Sequence, residues 1–346
     1  MVTCLSIAAT TGCSTHHRTA SQAPSTTTSA GLASGALNGV PSWPALTFTQ
    51  FEGRRVADRH SSVWVAAADG SLARRIVTHD AFQGTLSPDG RWLTFERSSS
   101  TARSWLFVVD LTTGKTRPLG KTTGDERWAP AGARLAVSQP GGFFLIDPAS
   151  GTRKKLLAAR VDSFDFTPDG GSIVLAEDTG VPYEPTERSD IFQLRLSDHM
   201  LTRRTRDGHS KRPLVSRKGI VYVRFNNNPY PRYETWQMGR DGNRQRVVAR
   251  CCESKSDTYA NSAYGFTTVG LSTDGTRLLA CMPSEFACNP IAVDLPGGRQ
   301  YAFPEIGKLG TSQEVSWTLD LTGDGPRANG VKAPLCSARP PDTSGQ

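Results

Sequence analysis

The stretch Leu86-Ser87-Pro88-Asp89-Gly90-Arg91-Trp92-Leu93-Thr94-Phe95 has the pattern of a strand, a tight turn and a second strand. Asp-Gly favours a turn because glycine tolerates positive φ and the Asp side chain can hydrogen-bond to nearby backbone. The residues that follow are strand formers. Two more strand-like segments come next, at 104–111 and 116–119. Four antiparallel strands in about forty residues are typical of one blade of a β-propeller.

The same unit recurs along the chain. Its strand–turn half returns at intervals of 38 to 56 residues, with turn glycines at Gly90, Gly132, Gly170, Gly219 and Gly275. Its third-strand half appears six times, with anchor residues Trp64, Phe107, Phe144, Phe192, Trp236 and Ile291. Repeats of about 40 to 50 residues that each contain four short strands indicate a propeller. Six third strands predict an all-β fold of six four-stranded antiparallel blades.

The two ends of the repeat region predict how the ring closes. The segment 44–48 resembles a second strand, but no strand–turn unit precedes it. The segment 314–319 resembles an innermost strand, but no turn glycine follows it. We expect the C-terminal strand to join blade one as its inner strand, because this closure removes exposed sheet edges. The alternative is that the two ends are frayed independently.

These units resemble the repeats of the TolB-like six-bladed propeller family, whose blades carry a Ser-Pro-Asp-Gly turn before an apolar strand. Asp89-Gly90, Asp169-Gly170 and Asp274-Gly275 match that turn, whereas Ala131-Gly132 and Lys218-Gly219 are degenerate copies. The resemblance covers about residues 43–325 and implies the propeller fold and an envelope role through protein contacts. Propellers of prolyl-oligopeptidase-type enzymes carry the same repeats, so the resemblance does not imply an activity.

The N-terminal segment predicts a location outside the cytoplasm. Residues 1–13 are short and weakly apolar, and they end in Gly12-Cys13, which resembles the lipobox of bacterial lipoproteins. Residues 14–42 are rich in Ser, Thr, Ala and Gly and are expected to form a disordered tether, and residues 326–346 a tail. We predict a protein that is lipid-anchored at Cys13 or secreted. A cleaved or a cytosolic start remains the alternative.

Charge and composition limit the classes of partner. The formal net charge is +8, and the chain has no apolar run of about eighteen residues that would span a membrane as a helix. A basic protein outside the cell meets anionic polymers and lipid headgroups. We predict no nucleic-acid partner, because no nucleic-acid-binding module is present. The densest basic run predicts a patch of Arg203, Arg204, Arg206 and Arg212. Its alternative role is to keep an outer strand soluble and unpaired.

Two long connections carry the predicted binding face. Both join a second strand to a third strand, one in blade four and one in blade five, so we expect them on the same face of the ring. Their Tyr, Asn and Arg side chains can stack on a sugar or a peptide and hydrogen-bond to it. Ordinary proline-stiffened loops are the alternative. The predicted partner-face residues are Tyr183, Glu184, Asn227, Tyr230, Arg232 and Tyr233.

The remaining motifs predict a disulfide and no catalytic centre. Cys281 and Cys288 flank a hairpin loop of blade six and would form a disulfide in an oxidising compartment. The cysteine spacings do not match a zinc site, and no Gly-x-Ser-x-Gly, His-Glu-x-x-His or phosphate-loop motif occurs. We predict no cofactor, no metal and no catalytic residue.

The sequence therefore favours a monomeric, non-catalytic binding or scaffold propeller. Such a protein would contact a protein or a cell-envelope ligand through one face. The alternative function is that of a channel-centred lyase or hydrolase that acts on a carbohydrate or a small molecule.

Overall fold

A computed structural model gives the arrangement of most of the repeat region. It describes residues 45–52, 60–67, 73–78, 80–98, 104–122, 125–130, 132–159, 161, 163–179, 188–226, 232–250, 267–272, 274–283, 288–295, 300–302 and 312–317.

The regular elements of these residues are all β-strands. The first eleven, in chain order, are β1 (Ala45–Glu52), β2 (His60–Ala67), β3 (Arg74–Val77), β4 (Ala81–Leu86), β5 (Trp92–Ser98), β6 (Ser104–Asp110), β7 (Thr116–Lys121), β8 (Glu126–Ala129), β9 (Gly132–Gln139), β10 (Gly142–Ile146) and β11 (Arg153–Leu157). The others are β12 (Ser163–Phe166), β13 (Ser172–Thr179), β14 (Arg188–Arg195), β15 (Leu201–Arg203), β16 (Ser210–Ser216), β17 (Gly219–Asn226), β18 (Arg232–Met238), β19 (Arg246–Arg250), β20 (Thr267–Leu271), β21 (Arg277–Pro283), β22 (Cys288–Asp294), β23 (Gln300–Ala302) and β24 (Ser312–Trp317).

The strands form six antiparallel sheets of four strands, which are the six blades of a propeller. Blades two to six are β4–β7, β8–β11, β12–β15, β16–β19 and β20–β23, and blade one is β24 followed by β1, β2 and β3. The first strand of each blade contacts the first strands of both neighbouring blades, so these six innermost strands form a closed circle. The predicted all-β fold of six four-stranded blades is confirmed.

Blade one combines the two ends of the described chain. β24 pairs with β1 in antiparallel register, with Trp317 opposite Leu46 and Val315 opposite Phe48, and the register shifts between Thr49 and Gln50. The innermost strand of blade one therefore comes from the far end of the repeat region, and β24 contacts both β4 and β20.

The Asp-Gly turns use one hydrogen-bond arrangement in three blades. In blade two the Ser87 hydroxyl donates to Asp89 Oδ1 at 2.5 Å and accepts the amide of Trp92 at 2.8 Å. Gly90 has φ of 68°, which side chains disfavour, and its amide donates to the carbonyl of Ser87. Blades four and six repeat this arrangement at Thr167–Gly170 and Ser272–Gly275. The motif is thus a local device that closes the hairpin between the first two strands.

The degenerate copies form shorter turns. Ser216 pairs with Gly219, and Ala129 pairs with Gly132, so each turn contains only two residues between the paired positions. An Asp cap over a longer loop is not needed in such a turn. Gly219 is still required, because a Cβ there would lie 2.2 Å from the carbonyl oxygen of Met238.

The Ser87 hydroxyl provides a first test of the turn. We expect Ser87→Ala to lower the free energy of unfolding by about 1 kcal/mol, because it leaves the buried amide of Trp92 without its acceptor. The matched control is Ser150→Ala, whose hydroxyl accepts the amide of Thr152 in an exposed turn where water can replace it. Urea unfolding measures the free energy of unfolding of both variants. Equal decreases would contradict a stabilising role for the hydrogen bond between the Ser87 hydroxyl and the Trp92 amide.

The hydrophobic core lies between the blades rather than at the centre of the ring. Alternate residues of one strand belong to different layers: Phe107 and Val109 of β6 pack against blade one, whereas Leu106 and Val108 pack against blade three. Three similar layers join blades three and four, four and five, and five and six. Because both faces of a blade are covered, central strands such as β6 are almost continuously apolar.

Candidate partner-binding end of the ring

The strand order gives the ring two different ends. Neighbouring strands in a blade run in opposite directions, so all connections from second to third strands emerge at one end. The connections from each blade to the next return to that same end, which we call the loop end. The opposite end, which we call the turn end, carries the Ser87–Gly90 type of turn. The strands that flank the two predicted partner loops end at the loop end, and so do the segments that carry Arg206 and Arg212 of the predicted basic patch, on the neighbouring blades four and five.

Most of the predicted partner-face residues lie outside the described residues, as do Cys13 and the segments 1–44 and 318–346. The outside members are Tyr183, Glu184, Asn227 and Tyr230. Arg232 and Tyr233 are the first two residues of β18, opposite Asn226 and Phe225. The structure thus fixes where the two loops start and end, and the role of their residues stays a prediction.

The structure divides the predicted basic patch into two pairs. Arg203 forms an ion pair with Asp190 at 2.5 Å, donates to the carbonyl of Thr205, and lies over the ring of Phe192. Arg204 donates to the side-chain oxygen of Gln193 at 2.6 Å and to the carbonyl of Asp241. Both guanidinium groups join the fourth strand of blade four to its third strand, and that of Arg204 also contacts blade five. They are therefore occupied by contacts within the chain.

The other two arginines of the patch, Arg206 and Arg212, are exposed. Arg206 lies in the connection from blade four to blade five. Arg212 lies in β16, at a bulge between Lys211 and Leu214, and has φ of 51°. Sequence reasoning missed Arg188, which is also exposed and begins β14 at the loop end. Its position, directly after the blade-four loop, was the signal for it.

A pair of carboxylates that the sequence did not single out is buried between blades two and three. Glu96 on β5 and Glu126 on β8 are each 4% exposed. Glu126 Oε1 lies 3.3 Å from the hydroxyl of Thr94 and 3.5 Å from that of Thr85. Burial raises the pKa of Glu126 well above its ordinary value, and the charge of Glu96 raises it further. Their sequence separation gives no local motif by which the pair could be found.

Asp165 joins blades four and five. Its Oδ2 accepts the amide of Val215 at 2.8 Å, and its Oδ1 accepts the amide of Phe166 at 2.9 Å. Burial raises the pKa of Asp165 to about 6, while the charge of Arg127 and the two amides oppose that rise. Both carboxylate oxygens are therefore engaged with backbone of the innermost strands.

The predicted disulfide lies on a pair of strands whose register is described. Cys281 is opposite Pro290 and Cys288 is opposite Pro283, so the two cysteines stand two positions apart across β21 and β22. The disulfide stays a prediction.

Within the described ranges, no three His, Cys, Asp or Glu side chains lie close enough together to hold a metal ion. In the same ranges, no helix has the length and hydrophobicity needed to cross a membrane.

Comparisons with known proteins agree with the fold. No protein-family model matches the chain, and no curated protein sequence matches it. Among solved structures, TolB from Acinetobacter baumannii is 15% identical with a TM-score of 0.57, over 80% of this chain and 66% of that one. The β-propeller domain of the Trilobed protease from Pyrococcus furiosus is 14% identical with a TM-score of 0.50, over 75% of this chain and 80% of that one.

The match to TolB spans somewhat less than two thirds of that protein's length, and both identities are low, so the likeness concerns the fold. The propeller repeats, the six sheets and the structural match agree with one another. The fold of this chain is that of a TolB-like six-bladed β-propeller.

Proposed function

We propose that this protein is a non-catalytic, extracytoplasmic binding propeller that contacts a protein or cell-envelope ligand through its loop end. One observation carries the proposal: the buried carboxylates of the innermost strands serve the blade seams. Asp165 accepts backbone amides of two blades, and Glu126 contacts the hydroxyls of Thr94 and Thr85. Arg206 and Arg212 are exposed at the loop end instead, where the strands that flank the two predicted partner loops also end.

A catalytic propeller is the second candidate, and the raised pKa of the Asp165 carboxyl on an innermost strand favours it. A carboxyl with a pKa of about 6, as at Asp165, has the ionisation behaviour of a general acid or base. Arg127 is close enough to influence that carboxyl. This alternative predicts a lyase or hydrolase acting on a carbohydrate or small molecule, whose turnover would disappear in Asp165→Asn.

The test uses the full chain as bait in an envelope extract from the source cells. We expect the double variant Tyr183→Ala/Tyr230→Ala, which changes the two predicted partner loops, to reduce capture of the partner by about tenfold or more, because aromatic side chains dominate binding energy at interfaces. The matched control is Arg217→Ala/Lys218→Ala, which changes two exposed residues of the turn end of blade five. Equal losses in both variants, or a loss only in the control, would contradict binding through the loop end.

Membrane anchoring through Cys13 is tested by fractionation of the same source cells. The proposal includes Cys13 as the lipid-bearing residue, which the lipobox resemblance of Gly12-Cys13 supports. Wild type should fractionate with membranes and Cys13→Ser should not. A Cys13→Ser protein that stays in the membrane fraction would remove the lipid anchor from the proposal while leaving the binding role intact.

A further inference from the structure

Three exposed arginines occupy the loop end of blades four and five. Arg188 begins β14, Arg206 lies in the connection that follows β15, and Arg212 lies in the bulge of β16. We propose that these guanidinium groups form a surface that binds an acidic segment of a partner protein. This inference rests on the proposed binding function and adds the chemistry of the partner.

The connection that carries Arg206 is held by Asp190. Asp190 is only 6% exposed and accepts hydrogen bonds from the guanidinium of Arg203, the hydroxyl of Thr205 and the amide of Gly208. The amide of Ile191 also donates to the hydroxyl of Thr205. The backbone before and after Arg206 is therefore tied to the third strand of blade four.

The C-terminal side of the connection is held by Asp207. Its carboxylate accepts the amide of His209 at 2.7 Å and the hydroxyl of Ser210, and it lies 3.6 Å from Nε of Arg224. The carboxylates on both sides of Arg206 thus have donors within the chain. An exposed side chain on such a fixed segment loses little backbone entropy on binding, which favours affinity.

Arg188 contacts the same connection. The amide of Ser189 donates to the carbonyl of Gly208, and a Cβ at Gly208 would lie 3.6 Å from Cδ of Arg188. The stem of Arg188 therefore packs on the connection two residues from Arg206. Because Arg188 and Arg206 lie on segments that contact each other, a single partner segment can reach both.

Arg212 stands in a strained backbone position that does not itself need a positive charge. Its φ of 51° is unfavourable for a residue other than glycine, and its amide donates to the hydroxyl of Ser163 at 3.1 Å. Gln83 occupies the same kind of bulge in blade two, with φ of 52° and an amide that donates to Thr49 at 3.1 Å. An uncharged residue satisfies this geometry, so the charge at Arg212 is available for another role.

The spacing and the chemistry fit a peptide with several carboxylates. Arg206 and Arg212 are six positions apart, so their Cα atoms are separated by at most about 20 Å, which an extended segment of six or seven residues spans. Arginine binds carboxylates with two parallel hydrogen bonds, which gives geometric selectivity as well as attraction. A fixed set of arginines therefore suits a protein segment with carboxylates at matching spacing.

The test measures the binding of a labelled peptide of alternating Glu and Ser by the full chain, by fluorescence anisotropy at physiological salt. We expect Arg206→Glu and Arg212→Glu each to weaken binding by about tenfold, as for charge pairs at protein interfaces. The matched control Arg217→Glu makes the same charge change at an exposed residue of the turn end and should leave affinity unchanged within about twofold. A Gln-for-Glu peptide should not bind.

Asp207→Ala separates rigid presentation from simple attraction between opposite charges. This change makes the protein more positive but removes the acceptor that holds His209 and Ser210. Rigid presentation predicts weaker peptide binding, whereas unspecific attraction predicts stronger binding. Circular dichroism identifies folded variants, and Arg206→Gln and Arg212→Gln replace any reversal that does not fold.

Several outcomes would overturn the acidic-segment inference. They are an equal loss in Arg217→Glu, stronger binding by Asp207→Ala, or polyphosphate binding as tight as peptide binding and equally sensitive to all three reversals. If these occur while the Tyr183→Ala/Tyr230→Ala variant still loses its cellular partner, the binding role stands and only the partner chemistry is wrong. If that variant also keeps its partner, the proposed function itself fails.

Discussion

Replacing Phe143 with alanine should lower the free energy of unfolding by about 4 kcal/mol, the cost of removing a fully buried phenylalanine and leaving a cavity. Phe143 on β10 is 0% exposed and Phe164 on β12 is 1% exposed. Their ring centroids are 4.6 Å apart with an angle of 67° between the planes, which is an edge-to-face contact. The pair joins blade three to blade four across the apolar layer between them.

The measurement is urea unfolding followed by circular dichroism, with Phe144→Ala as the matched control. Phe144 is the next residue of β10, is only partly buried, and packs in the layer between blades two and three. A double-mutant cycle with Phe164→Ala should show a coupling of about 1 kcal/mol between the two rings. A cost for Phe143→Ala no greater than that for Phe144→Ala would mean that the seam between blades three and four is not tightly packed.

The architecture could be predicted because its information is local. Each Asp-Gly turn closes a hairpin through hydrogen bonds among residues at most five positions apart, such as Ser87, Asp89 and Trp92. The six third-strand anchors indeed lie on β2, β6, β10, β14, β18 and β22. Repetition of a local signal gave the number of blades, and the period gave their size.

The site was less predictable because its contacts join residues far apart in sequence. Asp165 meets Val215 fifty positions away, and Glu126 meets Thr85 and Thr94 at 41 and 32 positions. The run around Arg203 looked uniform in sequence. Only the fold distinguishes arginines that bind Asp190 and Gln193 from those that face solvent.

The bulges at Gln83 and Arg212 could not be predicted from local sequence either. Neither Gln83 nor Arg212 has a sequence signature of left-handed backbone, yet both adopt it on an innermost strand. Each amide is held by a hydroxyl of the preceding blade, Thr49 or Ser163. The positions of Gln83 and Arg212 are thus set by neighbouring blades rather than by their own sequence context.

Glu126→Gln should raise the free energy of unfolding at neutral pH by about 2 kcal/mol, the order of the cost of burying an incompletely compensated polar group. The folded-state pKa of Glu126 is raised by burial, then by Glu96 and Asp125, whereas Arg127 and Thr94 oppose the rise. A raised folded-state pKa means that the folded protein binds its proton more tightly than the unfolded chain. The stability that this proton contributes is complete below the unfolded pKa and is lost as the pH rises through the folded pKa.

Wild type should therefore lose stability as the pH rises from about 4.5 towards neutrality. Glu126→Gln should flatten that loss, because the neutral amide can keep its oxygen towards the hydroxyl of Thr94. The measurement is a series of urea unfolding curves from acid to neutral pH. A variant whose pH dependence equals that of wild type would show that Glu126 does not contribute to it.

Asp165→Asn is the matched control, because it also removes one buried carboxylate but should stabilise the protein much less. Asp165 contributes to the same pH dependence, since its pKa is raised from an ordinary 3.8 to about 6. However, both of its oxygens accept backbone amides, from Phe166 and Val215, and an amide NH2 in place of one oxygen would face a donor. The lost hydrogen bond should cost about 2 kcal/mol, which cancels most of the gain of about 3 kcal/mol that removing the charge gives at neutral pH. If Asp165→Asn stabilises the protein as much as Glu126→Gln does, the cost of burying the charge alone decides both effects, and the hydrogen bond from the Val215 amide does not hold blades four and five together.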